Sequence, residues 1–340
     1  MDLSEFELIG RIAAKAPGTD RFETGIGDDA AVVRTRGRIV TSVDTAVAGV
    51  HFDPARPAAE VARKAIACAV SDLAAMGLGR GGTELLVALG APADAPRAYL
   101  ERLADGVVDA AGEFGADLAG GDVVASPALF LAVTAIAHVA DDQPVVTRAG
   151  ARPGDVVALT GPVGGAAAGL RLLQGLEVPD LSDLSRDLLV RCQVRPEPQL
   201  VAAPVLAREG ATAMIDVSDG LAADLGHVAR ASSVEIRLDP GSIPVMAGVP
   251  EVSAAVGEAP VAFATTGGED YVLAVTIPQD GFEAADEALI DATGFELLAV
   301  GGVFEAGDDG PGVTMGTDGD RTSLGRGGFD HFTGPRGRAR

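Results

Sequence analysis

The stretch Ala213-Met214-Ile215-Asp216-Val217-Ser218-Asp219-Gly220-Leu221 carries the pattern on which the fold turns. An apolar run of strand character reaches residue 217, a short acidic turn follows, and a helical periodicity runs over 221–231. The same alternation extends in both directions. Strands are predicted at 38–43, 84–89, 130–139, 156–160, 213–217, 271–276 and 297–303. Helices are predicted between them at 58–76, 98–114, 164–173, 198–209, 221–231 and 282–292. Near the start, Ser4 with Glu7 three residues on forms a capping box ahead of Leu8, Ile9 and Ile12. Strands alternating with helices make this an α/β (α+β) protein.

A chain of 340 residues has room for about two domains. The Gly/Pro-rich polar segment Arg148-Ala149-Gly150-Ala151-Arg152-Pro153-Gly154-Asp155 marks the boundary. The expected organisation is an N-terminal domain over 1–147, a C-terminal domain over 148–333 and a flexible basic tail over 334–340. No short-period repeat is present. The apolar fraction of 47% with 22% charged residues is that of a globular chain, and it excludes a disordered, collagenous or disulfide-stapled one.

Lys and Arg number 26 against 49 Asp and Glu, giving a formal charge of −23. Nucleic-acid backbones require a basic footprint, so no nucleic-acid partner is expected. The two cysteines, Cys68 and Cys192, are far apart and suit a reducing compartment. Met1-Asp2-Leu3-Ser4-Glu5 has no basic region leading into an apolar core, so no signal peptide is read there. The longest uncharged run, 123–140, contains Ser126-Pro127 and His138 and ends in β-branched residues, which reads as a buried strand rather than a membrane span. A cytoplasmic protein without a membrane partner is the expectation.

Most acidic residues belong to a solvated surface, but several aspartates sit in sequence otherwise suited to burial. Asp28-Asp29 follow Gly25-Ile26-Gly27, Asp44 ends the strand-like Ile39-Val40-Thr41-Ser42-Val43, Asp72 interrupts an apolar helix, Asp122 follows Gly120-Gly121, and Asp216 and Asp219 bracket Val217-Ser218. Buried carboxylates need positive partners to remain ionised. Lys15 and Lys64 are the only lysines and neither lies beside these motifs. Divalent cations suit converging aspartates, and Mg²⁺ commonly joins one or two carboxylates to substrate phosphates. Each motif also has a structural reading. Ser218 or Asp219 suits a cap for the helix at Leu221, Asp28-Asp29 suits a turn, and Gly161-Pro162-Val163-Gly164-Gly165-Ala166 lacks the Gly-Lys-Ser/Thr of a P-loop and suits helix packing. Gly25-x-Gly27-x-x-Ala30 follows no convincing strand and is not read as a dinucleotide fingerprint.

The motifs Gly25-Ile26-Gly27-Asp28-Asp29-Ala30-Ala31-Val32, Ser42-Val43-Asp44 leading to Gly49-Val50-His51-Phe52, and Ser71-Asp72-Leu73-Ala74-Ala75-Met76-Gly77 occur in one order with Gly120-Gly121-Asp122 and Thr147-Arg148. Ile215-Asp216-Val217-Ser218-Asp219-Gly220-Leu221, Gly267-Gly268-Glu269-Asp270-Tyr271 and Gly328-Phe329-Asp330-His331-Phe332 continue the series. As a set, spanning nearly the whole chain, they resemble the thiamine-monophosphate kinase family. The resemblance implies the two-domain aminoimidazole ribonucleotide synthetase-like fold, with N-terminal sheets forming a barrel across a homodimer. It implies ATP-dependent phosphorylation of thiamine monophosphate to thiamine diphosphate with several Mg²⁺ ions. By motif position it implies metal ligands at Asp29, Ser42, Asp44, Asp72, Asp122, Asp216 and Asp219. It implies ATP contacts at Gly121, Asp122, Arg148 and Ser218, and substrate contacts at His51, Glu269 and Phe329.

The chemistry of the acceptor agrees. A phosphate monoester has a second pKa of ~6 and is already an anionic nucleophile near pH 7, so no general base is needed. The obstacle is repulsion between two anions, which Mg²⁺ and Arg148 would offset. Direct in-line transfer is expected, with His51 orienting substrate. His51 also reads as a hydrogen-bonded histidine beside the core, Glu269 as a turn residue and Phe329 as a core aromatic. This chain has Val43 where the family commonly has Thr, and Val123-Val124 where it has Thr-Thr, which removes hydroxyl ligands. Other enzymes of the superfamily fit less well. A selenophosphate synthetase calls for a reactive Cys near the N-terminus, whereas the first here is Cys68, and the hydrogenase-maturation relative calls for a C-terminal Cys. A non-catalytic Ca²⁺ or Mg²⁺-nucleotide sensor is the remaining alternative, and no EF-hand loop supports it.

Overall fold

The computed structural model describes residues 10–12, 14–16, 22–24, 32, 33, 37–317 and 320–324. The Ser4–Glu7 capping box, Asp28, Asp29, Phe329 with its motif, and the 334–340 tail lie outside the described residues. The chain divides into two compact units. Among the described residues, one comprises those up to Leu73 and Arg80–Gln143; the other comprises Ala74–Gly79 and those from Pro144.

The first unit contains a short antiparallel pair, β1 (Phe22–Thr24) and β2 (Val32–Val33), and an open four-stranded sheet. That sheet is built from β3 (Arg38–Val47), β4 (Thr83–Ala91), β5 (Ala116–Ala125) and β6 (Phe130–Val139) in the order β3-β6-β4-β5. Only the β4–β5 pair is parallel, and the crossover between them carries α2 (Arg97–Phe114). Helix α1 (Ala58–Ala75) precedes β4. Along β6 the residues Leu131, Val133, Ala135, Ala137 and Val139 are buried while their neighbours are half-buried, the period-two pattern of a sheet with one covered face. Gly106 lets the two helices touch: a Cβ there would lie 2.8 Å from Ala59 Cα.

The other face carries Ile39, Val43, Leu86 and Val124, all exposed. Register places them together, since Val43 pairs with Thr134 and Thr134 with Leu86. The chain alone therefore forms an open sheet, with these apolar side chains exposed on its uncovered face, rather than a closed barrel.

The second unit is built on a seven-stranded sheet ordered β13-β12-β9-β11-β7-β10-β8. Its strands are β7 (Asp155–Leu159), β8 (Ala213–Asp216), β9 (Val234–Leu238), β10 (Leu273–Pro278), β11 (Leu298–Glu305), β12 (Gly312–Thr317) and β13 (Asp320–Ser323). Its helices are α3 (Gly165–Leu173), α4 (Asp183–Val194), α5 (Ala202–Arg208), α6 (Leu221–Ser232), α7 (Val249–Ala255), α8 (Pro260–Thr266) and α9 (Phe282–Thr293). β7 is buried along its whole length, as its uninterrupted Val-Val-Ala-Leu run requires of a central strand. Two apolar clusters form. One joins the strands to α6 through Leu221, Leu225 and Val228, and the other joins α3 and α4 through Ala168, Leu172 and Leu189.

Each predicted strand and helix is present with ends shifted by a few residues, except that 198–209 narrows to Ala202–Arg208 and 271–276 begins at Leu273. Unread in the sequence were β1, β2, β5, α4, β9, α7, α8, β12 and β13. Among the described residues no helix is long and apolar enough to cross a membrane.

Gly169 fixes how closely α3 meets α4, because a Cβ there would sit 2.0 Å from the Leu189 carbonyl oxygen. Gly169→Ala is therefore expected to destabilise the protein by about 1–3 kcal/mol through overpacking. A guanidinium unfolding midpoint unchanged from wild type would contradict that contact.

Candidate functional site

In the first unit, β3 turns Ser42 and Asp44 toward the covered face, where Ser42 pairs in register with buried Ala135 and Asp44 with buried Val133. Asp72 on α1 reaches the same face and accepts a hydrogen bond from the Ser42 hydroxyl. Asp44 Oδ1 accepts from the Thr45 amide at 2.6 Å. Ser42, Asp44 and Asp72 thus share one face. Val43 points the other way and is 64% exposed, so a hydroxyl at that position would not have joined them.

Asp122 does not join them either. A bulge in β5 pairs Leu85 with Leu118 but Leu86 with Gly120, and the register continues with Gly121 opposite Val87 and Asp122 opposite Ala88. A one-residue shift exchanges the two faces of a strand. Asp122 accordingly lies on the face that carries Leu86, while Gly121 backs onto β4, where a Cβ would be 2.0 Å from the Val87 carbonyl oxygen. His51 lies in the turn after β3, and its Nδ1 accepts a hydrogen bond from the Val47 amide at 3.0 Å. Nδ1 is thereby the unprotonated nitrogen.

In the second unit the acidic turn between β8 and α6 is held from within. The Asp224 carboxylate, one turn into α6, accepts from the amides of Ser218, Asp219 and Gly220 at 3.0, 3.0 and 3.1 Å. The helix start is therefore satisfied by Asp224, and neither Ser218 nor Asp219 caps it. Those three amides are already spent on a carboxylate and do not form an anion site for phosphate.

Burial, reinforced by the charges of Asp216 and Asp219, pushes the Asp224 carboxyl up to about 7 against the pull of its amide donors. Three carboxyl groups thus crowd one loop. A cation beside Asp216 and Asp219 would relieve that repulsion. Arg148 acts electrostatically on His227 of α6, where it lowers the imidazole pKa behind the larger effect of burial.

The Gly267-Gly268-Glu269-Asp270-Tyr271 segment packs against the same turn. The Glu269 amide donates to the Ser218 carbonyl at 2.8 Å and the Tyr271 amide to the Val217 carbonyl at 2.9 Å. Asp270 performs at α3 what Asp224 performs at α6. Its carboxylate accepts from the amides of Gly164 at 2.6 Å and Ala166 at 3.1 Å. The Gly161–Gly165 region serves helix packing, with Gly164 against Ala264 and Gly165 against Cys192. Glu269 itself is hydrogen-bonded by Gln193 of α4.

Among the described residues no three His, Cys, Asp or Glu side chains are grouped to hold a metal ion. The donors come instead as an Asp44/Asp72 face with Ser42 and as an Asp216/Asp219 turn. Mg²⁺ needs only one or two carboxylates when waters and phosphate oxygens complete its shell, so both arrangements fit it. Asp224, Asp270 and Gln193 were not singled out in the sequence. An acid in the first turn of a helix was the available signal for Asp224; Asp270 appeared only as a member of the Gly267–Tyr271 motif, and Gln193, which acts on Glu269 76 residues away, had none.

Family models match the chain over residues 27–139, as AIR synthase related protein, N-terminal domain, and over 152–308, as the corresponding C-terminal domain. The chain is 36% identical to the thiamine-monophosphate kinase of Escherichia coli K12, over 98% of this chain and 100% of that one. The crystal structure of thiamine-monophosphate kinase from Stenotrophomonas maltophilia K279a is 34% identical with a TM-score of 0.78, covering 93% of this chain and 97% of that one. AaThiL complexed with AMPPCP and TMP is 28% identical with a TM-score of 0.75, covering 98% and 99%.

Burial is the main cause that raises Asp270 to about 7, opposed by its amide donors. A carboxyl whose folded pKa lies above its unfolded value favours the protonated fold, so its contribution is present below about pH 4 and lost as pH rises through about 7. The stability of wild type relative to Asp270→Asn should therefore fall between pH 4.5 and 7.5, about the window set by that shift. Denaturant midpoints at both pH values measure it, and a constant difference would contradict the assignment.

Proposed function

Since the chain belongs to the thiamine-monophosphate kinase family, we propose that it transfers the γ-phosphoryl group of ATP to thiamine monophosphate, giving thiamine diphosphate and ADP. The observation that carries this reading is the pairing of Asp72 with Ser42 beside Asp44, together with the Asp216–Asp219 turn held by Asp224. These are oxygen donors of the kind that join Mg²⁺ to phosphates. The relative complexed with AMPPCP and TMP supports the choice of nucleotide and acceptor.

Bound Mg²⁺ would supply the positive charge that lets two phosphates approach. In this proposal Ser42, Asp44 and Asp72 would hold one ion and Asp216 and Asp219 another, while Asp29 and Asp122, the latter on the sheet face opposite Ser42, are assigned as ligands by the family motifs alone. Arg148 adds a fixed positive charge, and Gly121 and Ser218 complete the contacts to ATP. The acceptor phosphate is an anion near pH 7 and needs no base. His51, whose Nδ1 accepts from the Val47 amide, orients the substrate by its place in the family motif. Glu269 and Phe329 complete the substrate contacts. Transfer is direct and in line, without a phosphoenzyme.

We further propose a homodimer in which two copies pair the open faces of their four-stranded sheets into a barrel. The exposed apolar side chains Ile39, Val43, Leu86 and Val124 support it.

Thiamine diphosphate should form from ATP and thiamine monophosphate only with Mg²⁺ present, and chelation should stop it. Asp72→Asn and Asp216→Asn should each lower kcat by at least about 10²-fold with the thermal midpoint retained. Full activity in either variant would remove that residue from the site. Val43→Asp, which places a charge on the open sheet face, should shift the protein to monomer by light scattering; an unchanged mass would exclude that face as the interface.

A further inference from the structure

Glu269 is held in a backbone shape that is costly for a side chain bearing Cβ. Its φ is +67° and that of Tyr271 is +53°, both left-handed. The loop is pinned there by the Ser218 and Val217 carbonyls, and Gly268 packs so close that a Cβ would lie 2.4 Å from the Ser218 carbonyl oxygen. Strain of this kind persists where surrounding contacts aim a functional group.

The contact that aims it comes from α4. Gln193 is 6% exposed, and its Nε2 donates to Glu269 Oε2 at 2.6 Å. Its carbonyl oxygen Oε1 is buried and has no hydrogen-bond partner among the described residues. Keeping a buried amide with half of its polar atoms unmet is unfavourable. Leu or Met would fill that space without the penalty, and α4 already packs through Leu189. The amide is explained by what its donor does, which is to hold one carboxylate oxygen of the half-buried Glu269 in a fixed position.

A carboxylate fixed in this way favours a cationic ligand with N–H donors over neutral or anionic ones. Thiamine monophosphate offers both, in a permanently charged thiazolium and an aminopyrimidine. We propose that Gln193 is a positioning residue for Glu269, and that the pair selects the cationic, amine-bearing part of the substrate. This rests on the functional reading above.

The test is steady-state kinetics of the full-length enzyme with Gln193→Leu and Gln193→Met, each alone and combined with Glu269→Gln. The single variants should raise KM for thiamine monophosphate about tenfold. Their kcat and their KM for ATP should stay within about twofold of wild type. In the Glu269→Gln background neither change at Gln193 should raise KM further, because the carboxylate it aims is gone. An unchanged KM, a parallel rise in both KM values, or additive effects in the double variants would overturn the assignment. Failure of both single variants to fold would make Gln193 a packing residue and overturn it too. A wild-type enzyme without turnover would overturn the functional reading and this inference together, whereas an active wild type with indifferent variants would overturn this inference alone.

Discussion

A carboxylate removed from water must find donors or cations, and that requirement organises the loops of the second unit. Asp224 gathers the amides of residues 218–220 at the start of α6, and Asp270 gathers those of Gly164 and Ala166 at the start of α3. Each closes a helix N-terminus whose amides would otherwise be buried without acceptors. Because Asp270 adjoins Glu269, and Glu269 is bonded to the Ser218 carbonyl, the two clasps fix one continuous surface of loop. These hydrogen bonds hold the turn that carries Asp216 and Asp219, whose charges raise the Asp224 pKa.

The first unit reaches a similar result by different means. A strand presents Ser42 and Asp44 on one face, and a helix laid over that face brings Asp72 to them. Secondary structure provides the spacing here, without a loop clasp. The chain as a whole carries an acidic excess, with 26 basic against 49 acidic residues. Proteins that bind metal–phosphate complexes gain from such an excess, since the ion completes the charge balance only when the substrate is present.

Much of this was readable from residue order. The alternation of apolar runs, the acidic turn at 216–219 and the motif series gave the fold class and most of the proposed site. What escaped reading depended on contacts distant in sequence or on register. β5 was unread because Gly120-Gly121-Asp122 looks like a loop, yet parallel pairing with β4 makes it a strand. The bulge in that strand sends Asp122 to the face opposite Ser42, which spacing alone could not reveal. Helix α4 has only two buried residues, Leu189 and Gln193, and so lacks a strong apolar stripe. Gln193 gains its meaning from Glu269, 76 residues away.

In the proposed function these acidic groups bind Mg²⁺ together with nucleotide. Equilibrium titration of Mg²⁺ into the full-length protein with a non-hydrolysable ATP analogue tests it directly, without turnover. Saturable binding is expected in wild type, with an affinity lowered about tenfold or more in Asp72→Asn and in Asp216→Asn. Equal affinity in wild type and both variants would show that the ion is held elsewhere and would contradict it.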